Sequence, residues 1–165
     1  MRQSAGFTLI ELLITITLMV ILLTLSVVSL RSTQANARDE ERKTDVAVIA
    51  QQLEHYYTAG SDTVSTPGSY PPTQAVDTET EVKTVLRDLD PKVLRAPDVA
   101  DASTMSFGVA TSNAQPAPVL NAYIYQPLTA SGALCQLVTD ECRKFTLFYT
   151  LETSALLQQV VSRNQ

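Results

Sequence analysis

Residues 12–30, LLITITLMVILLTLSVVSL, form a run of nineteen residues without a charge, a glycine or a proline. No other feature restricts the fold so strongly. A helix rises about 1.5 Å per residue, so the run spans roughly 28 Å. That nearly matches the roughly 30 Å hydrocarbon thickness of a bilayer. Beyond Arg31 the sequence turns polar, with turn residues and modest apolar patches, and residues 31–165 must supply whatever core the protein has. The 165 residues suffice for one domain plus an attached segment.

A single acid, Glu11, stands at the start of the run. A carboxylate at depth in a membrane costs about 2.5–3.5 kcal/mol even on the lenient insertion scale. Three readings of the segment follow. It is a plain transmembrane anchor, with Arg2 before it and Arg31 and Arg38 after it, which leaves the positive-inside signal ambiguous. It is a secretory signal peptide, with Ala35-Asn36-Ala37 in the A-x-A form of a cleavage site. Against this, the run is longer than a usual h-region and Glu11 sits at its entrance. In the third reading the chain is cut between Gly6 and Phe7. The leader MRQSAG is polar and basic and stays on the cytoplasmic side. Glu11 then falls in the first helical turn, where the positive end of the helix dipole favours a carboxylate. The new amine on Phe7 adds a full positive charge.

The stretch G-F-T-L-I-E-L-L, residues 6–13, followed by a long apolar helix, resembles the N-terminus of type IV pilins and related type II secretion pseudopilins. The resemblance is specific over residues 6–30 and looser to about residue 58. It implies that a prepilin peptidase cuts after Gly6 and methylates the N-terminus of Phe7. It also implies that Glu11 meets the terminal amine of a neighbouring subunit and sets the axial register. Lipid tails are as apolar as helix side chains, so register in a bundle comes from shape and a few polar groups. The chain departs from the family in one respect. Many pilins carry a proline in this span, whereas residues 7–59 contain neither Pro nor Gly. Thr15, Thr17, Thr24, Ser26 and Ser29 offer hydroxyls that bond carbonyls one turn back and ease bending. Close helix packing is their alternative reading.

The helix is expected to continue to about Ala59, near 80 Å in all at about 1.5 Å per residue. Residues 31–45 are strongly polar with both charge signs, and Asp39-Lys43 and Asp39-Arg42 are favourable pairs. The run from Arg38 to Asp45 reads as a solvated face. Val46, Ile49, Ala50, Leu53, Tyr56 and Tyr57 then recur at helical spacing and should pack on a sheet, with Gly60 as the stop. His55 lies beside this stripe and reads as structural. Residues 60–75 read as an exposed loop. Residues 80–89 place Val82, Val85, Leu86 and Leu89 on one helical face, and Asp90-Pro91 fits a cap followed by a further turn. Strands are expected at 104–110, 119–126, 134–138 and 144–151, as an antiparallel meander, with residues 152–165 as a weakly helical or frayed tail.

The expected fold class is therefore α+β and pilin-like. One long N-terminal helix, apolar in its first half and amphipathic in its second, packs on a small antiparallel sheet of three to four strands. The expected divisions are a leader at 1–6, an apolar helix at 7–30, its amphipathic continuation at 31–59 and a globular head at 60–165.

Cys135 and Cys142 form a close pair, which in an exported chain reads as a disulfide. The alternative is two free buried thiols in a reducing compartment. A bridge would constrain the unfolded chain by about 2–3 kcal/mol. In position it resembles the disulfide-bounded loop of many pilins, though it is shorter. Asp98 with Asp101, and Asp140 with Glu141, are weak calcium candidates, since some pseudopilins bind calcium in this region. Solvated loop carboxylates are the competing reading, and neither a metal nor a cofactor is expected.

A formal charge of −5 and scattered basic residues argue against nucleic-acid binding by the isolated subunit. With one histidine and no nucleophile motif, the residues point away from an enzyme. The resemblance implies a homo-oligomeric helical filament, with prepilin peptidase, an assembly platform and an ATPase as partners. Lipid surrounds the helix before assembly in the cytoplasmic membrane, and the final location is a pilus outside the cell. Two alternatives remain. One is a pseudopilin of a secretion or competence system; the other is an anchored binding or adhesin module that never polymerises. Adhesion, twitching, DNA uptake and secretion all use such subunits.

Overall fold

The computed structural model describes residues 6–60, 67–99 and 104–164. The expected leader at 1–6 therefore lies outside the described residues except for Gly6. The chain falls into two compact units, Met1–Ala37 and Arg38–Gln165.

Helix α1 runs over Leu9–Ala59. It begins at Thr8, whose Oγ1 accepts from the Glu11 N–H at 3.3 Å and whose carbonyl accepts from the Leu12 N–H at 3.2 Å. A threonine hydroxyl in this position satisfies one of the four unpaired N–H groups at a helix start. No Pro or Gly interrupts the helix before Gly60. There the backbone turns left-handed, with φ 72°, and the Gly60 N–H donates to the Tyr56 carbonyl at 2.8 Å. Glycine takes that conformation without a Cβ penalty, and the helix stops.

In the second unit the stripe packs as its spacing predicts. Val46, Ile49, Leu53 and Tyr56 are buried, with Ala50 and Tyr57 packed at their side. They meet a four-stranded sheet of β1 (Phe107–Val109), β2 (Tyr123–Thr129), β3 (Cys142–Thr150) and β4 (Leu157–Val161), in that order. Burying a Leu or Ile contributes about 1.5–3 kcal/mol each, so this one face of the helix organises the head. Phe107, Tyr125, Phe145, Tyr70 and Tyr57 follow one another in ring contact at centroid distances of 4.6–6.0 Å, with Phe107 stacked on Tyr125 and Tyr70 edge-on to Phe145.

The α+β class holds, but the sheet is mixed rather than an antiparallel meander. β2, β3 and β4 are antiparallel neighbours, whereas β1 pairs parallel to β2, Phe107 opposite Tyr123. A parallel pair needs a crossover rather than a hairpin, and residues 110–122 supply it. The expected strand at 134–138 is absent apart from one bridge, Leu134 to Leu128. Cys135 instead donates to the Pro127 carbonyl and accepts from the Thr73 N–H, which ties the segment to two neighbours at once. The expected frayed tail contains β4. Its turn, residues 151–156, is fixed from α1, a partner that local pattern cannot disclose.

Helix α2 (Glu79–Val85) is shorter than the expected 80–89, although Leu86 and Leu89 are buried beyond its end. Thr78 and Glu81 close a reciprocal capping box at its start. Asp90 accepts from the Lys92 N–H at 3.0 Å and opens a 3-10 turn over Pro91–Leu94, as its sequence suggested. The expected exposed loop at 60–75 is corrected in its second half, residues 61–66 lying outside the described residues. Tyr70 through Thr73 are buried, because the Tyr70 N–H donates to the Cys142 carbonyl and Gln74 to the Gln136 carbonyl.

Candidate functional site

The first unit presents an unusual surface. Its described large apolar side chains from Phe7 to Leu30 are between 49% and 83% exposed. A helix apolar all round needs a lipid or protein surrounding. This one is long and apolar enough to cross a membrane by length and composition. Four of its hydroxyls are satisfied within the helix. Thr15, Thr17 and Thr24 donate to the carbonyls of Leu12, Ile14 and Ile21, and Ser26 donates to Leu22, all at 2.8 Å. Ser29 takes part through its carbonyl, which accepts from Thr33. Glu11 lies in the first turn and is exposed, with Phe7 exposed just before the helix.

Residues 1–27 match the prokaryotic N-terminal methylation motif. It is a type IV prepilin-like signal. No curated protein and no solved structure matches the chain. The prepilin-like signal thus covers the first unit up to residue 27, and its continuation into an exposed apolar helix fits a membrane-anchored precursor. The signal implies processing by prepilin peptidase and pilus assembly. Gly6, Phe7 and Glu11 all fall within it. Nothing lies within 4 Å of the position a Cβ would take on Gly6.

In the second unit the charge run 38–45 is not the solvated face its composition suggests. Asp39, Arg42 and Asp45 are buried. Asp39 accepts from the Glu152 N–H at 2.7 Å, from the Thr153 N–H at 2.9 Å and Oγ1 at 2.6 Å, and from Arg42 Nη1 at 3.0 Å. Burial pushes the Asp39 pKa upward, but donation from Thr153 and Glu152, with Arg42, outweighs it and holds the carboxyl below its ordinary value. Arg42 Nη2 donates at 2.7 Å to Oδ1 of Asn121, itself at φ 66°. Arg38 grips Glu152 with two parallel bonds of 2.8 and 2.6 Å. Lys43 pairs with Glu40 at 2.7 Å rather than with Asp39. The buried face in fact runs 39, 42, 46, 49, 53, 56. The helical period continued upstream through charged residues, and that was the available signal.

Asp45 differs from Asp39. Its Oδ2 accepts from the Tyr123 hydroxyl at 3.0 Å. Burial raises its pKa to about 6, and Glu41 adds to the rise, against the lowering effect of the Tyr123 bond. The Tyr123 hydroxyl is pushed strongly upward by burial and by Asp45.

Cys135 and Cys142 are joined in a disulfide with a Cα–Cα distance of 5.8 Å. Asp140 Oδ2 accepts from the Gln136 and Leu137 N–H groups, both at 2.9 Å, and shapes the loop between them. Glu141 pairs with Arg143 at 2.9 Å. These two calcium candidates are thus engaged locally. Asp98 lies at a left-handed turn with φ 67°, and Asp101 lies outside the described residues. Among the described residues no group of three or more His, Cys, Asp or Glu is placed to hold a metal. His55 is exposed on α1.

Proposed function

We propose that the chain is the structural subunit of a type IV pilus-like filament. It is held in the cytoplasmic membrane as a precursor, cut between Gly6 and Phe7, methylated on Phe7 and polymerised through α1 into a pilus outside the cell. The carrying observation is the prepilin-like signal at residues 1–27 leading directly into an exposed apolar helix. In a bundle of such helices Glu11 is the only charged side chain between Phe7 and Leu30. Pairing with the Phe7 amine of another copy satisfies it at one axial offset and penalises the others. Platform protein and assembly ATPase are the partners that such a subunit requires.

Intact mass of the native protein tests the reading. A chain starting at methylated Phe7, with fibres in negative stain that vanish in Glu11→Ala cells, is expected. Retention of Met1–Gly6 in the mature protein, or a start at Arg38, would overturn it in favour of an anchored or a secreted protein. Fibre length separates a surface pilus from the short periplasmic assembly of a secretion or competence pseudopilin.

A further inference from the structure

Charge is segregated within the second unit. No Asp, Glu, Lys, Arg or His occurs from Thr104 to Thr139, nor from Thr153 to Ser162. Protein surfaces are usually about a quarter to a third charged residues. Beyond Leu30, the exposed large apolar side chains among the described residues are Val119, Leu120, Leu137, Val138, Leu156 and Val161, and every one lies in these two stretches.

The second stretch contains an open sheet edge. β4 is the last strand in the sheet, and Ser162 N–H donates to the Phe145 carbonyl at 2.9 Å. Antiparallel strands alternate bonded and non-bonded pairs. The N–H groups of Leu157, Gln159 and Val161, opposite Thr150, Phe148 and Thr146, therefore point away from β3. Exposed edges are normally blunted by Lys, Pro or a bulge. β4 has no charge and no proline, and its register to β3 is unbroken.

The first stretch contains a matching shape, Gln115-Pro116-Ala117-Pro118-Val119, which carries no secondary structure. Gln115, Ala117 and Val119 are exposed. A residue before proline is driven to extended backbone, and proline fixes its own φ, so the segment is preformed as a strand-like piece. Prolines at alternate positions delete the donors along one edge and leave those of Gln115, Ala117 and Val119 along the other. Such a strand pairs on one side only.

We propose that β4 of one copy takes residues 115–119 of a second copy as an added strand. The two pieces cannot meet within one head, since 110–122 joins β1 to β2 on the far side of the sheet from β4. A second copy is the occupant because the chain is net negative at −5. Contact through the two uncharged stretches brings no like charges together. Two unlike patches make a head-to-tail contact, which propagates along a helix instead of closing. The inference rests on the filament reading and adds to it a contact between heads.

The test uses filaments sheared from cells that make Ala117→Cys and Gln159→Cys chains together, treated with a short bis-maleimide. The native cysteines are paired and do not react. A cross-linked dimer joining the two variant peptides, absent when either variant is made alone, is expected. Gln159→Lys, on an exposed edge position, should leave head melting unchanged and lower filament yield about tenfold or more. Filaments without the mixed dimer, or full yield from Gln159→Lys, overturn the head contact and leave the filament reading standing. Absence of filaments from the unmodified chain overturns both.

Discussion

Asp45 gives a quantitative handle on the packing of α1. Asp45 is 8% exposed, and among the described residues its carboxyl accepts from the Tyr123 hydroxyl. Its pKa rises to about 6 from an ordinary 3.8. Each unit corresponds to about 1.4 kcal/mol, so the ionised form costs on the order of 3 kcal/mol at neutral pH. The folded state binds this proton more tightly than the unfolded chain. Its contribution to stability is complete below pH 3.8 and is lost as the pH rises through about 6. Asp45→Asn keeps an acceptor for the Tyr123 hydroxyl without the charge. Urea unfolding of the full chain in detergent, followed by circular dichroism, should find the Asn variant more stable by about 1–3 kcal/mol at pH 7.5. The gap should close towards pH 4. Taking the difference between the two proteins cancels the titration of other carboxylates. A less stable Asn variant at pH 7.5, or a gap that does not move with pH, would refute the claim that burial dominates at this site.

Asp39→Ala strips four donors of their acceptor and leaves Arg42 buried, so it should cost about 3–5 kcal/mol in the same unfolding assay. Replacing both Cys135 and Cys142 with Ser should cost about 2–3 kcal/mol, and adding reductant to the wild type should reproduce the loss. Tyr125→Phe removes the 2.8 Å bond from its buried hydroxyl to the Pro71 carbonyl and should cost about 1–3 kcal/mol, with a lowered melting temperature.

How much of this was legible in advance depended on whether the determining contact was local. The stripe from Val46 to Tyr56, the Gly60 stop, the Asp90-Pro91 turn and the Cys135–Cys142 bridge are written in neighbouring residues, and each was read from them. β4 was not, because neither face of Leu157–Val161 is uniformly apolar and its turn is held by Asp39 from far along the chain. The parallel pairing of β1 was equally hidden, since strand composition does not encode direction. Asp39 and Arg42 are buried because helical period, rather than charge, decides which face of α1 meets the head. In the N-terminal segment, Gly6, Phe7 and Glu11 stood out because a lone acid beside a lipid-like run demands an explanation.

The junction that fastens Glu152 and Thr153 to α1 joins residues separated by 113 and 114 positions. A ribosome therefore moves 113 positions beyond Asp39 before the first of these backbone donors exists. Until then the guanidinium of Arg42 lacks the lining supplied by the late-made hairpin, and β4 has yet to join β3. Maturation of the head is in this sense scheduled by the turn at Glu152 and Thr153 and the strand that follows it, and a nascent chain truncated before Glu152 should remain open to protease.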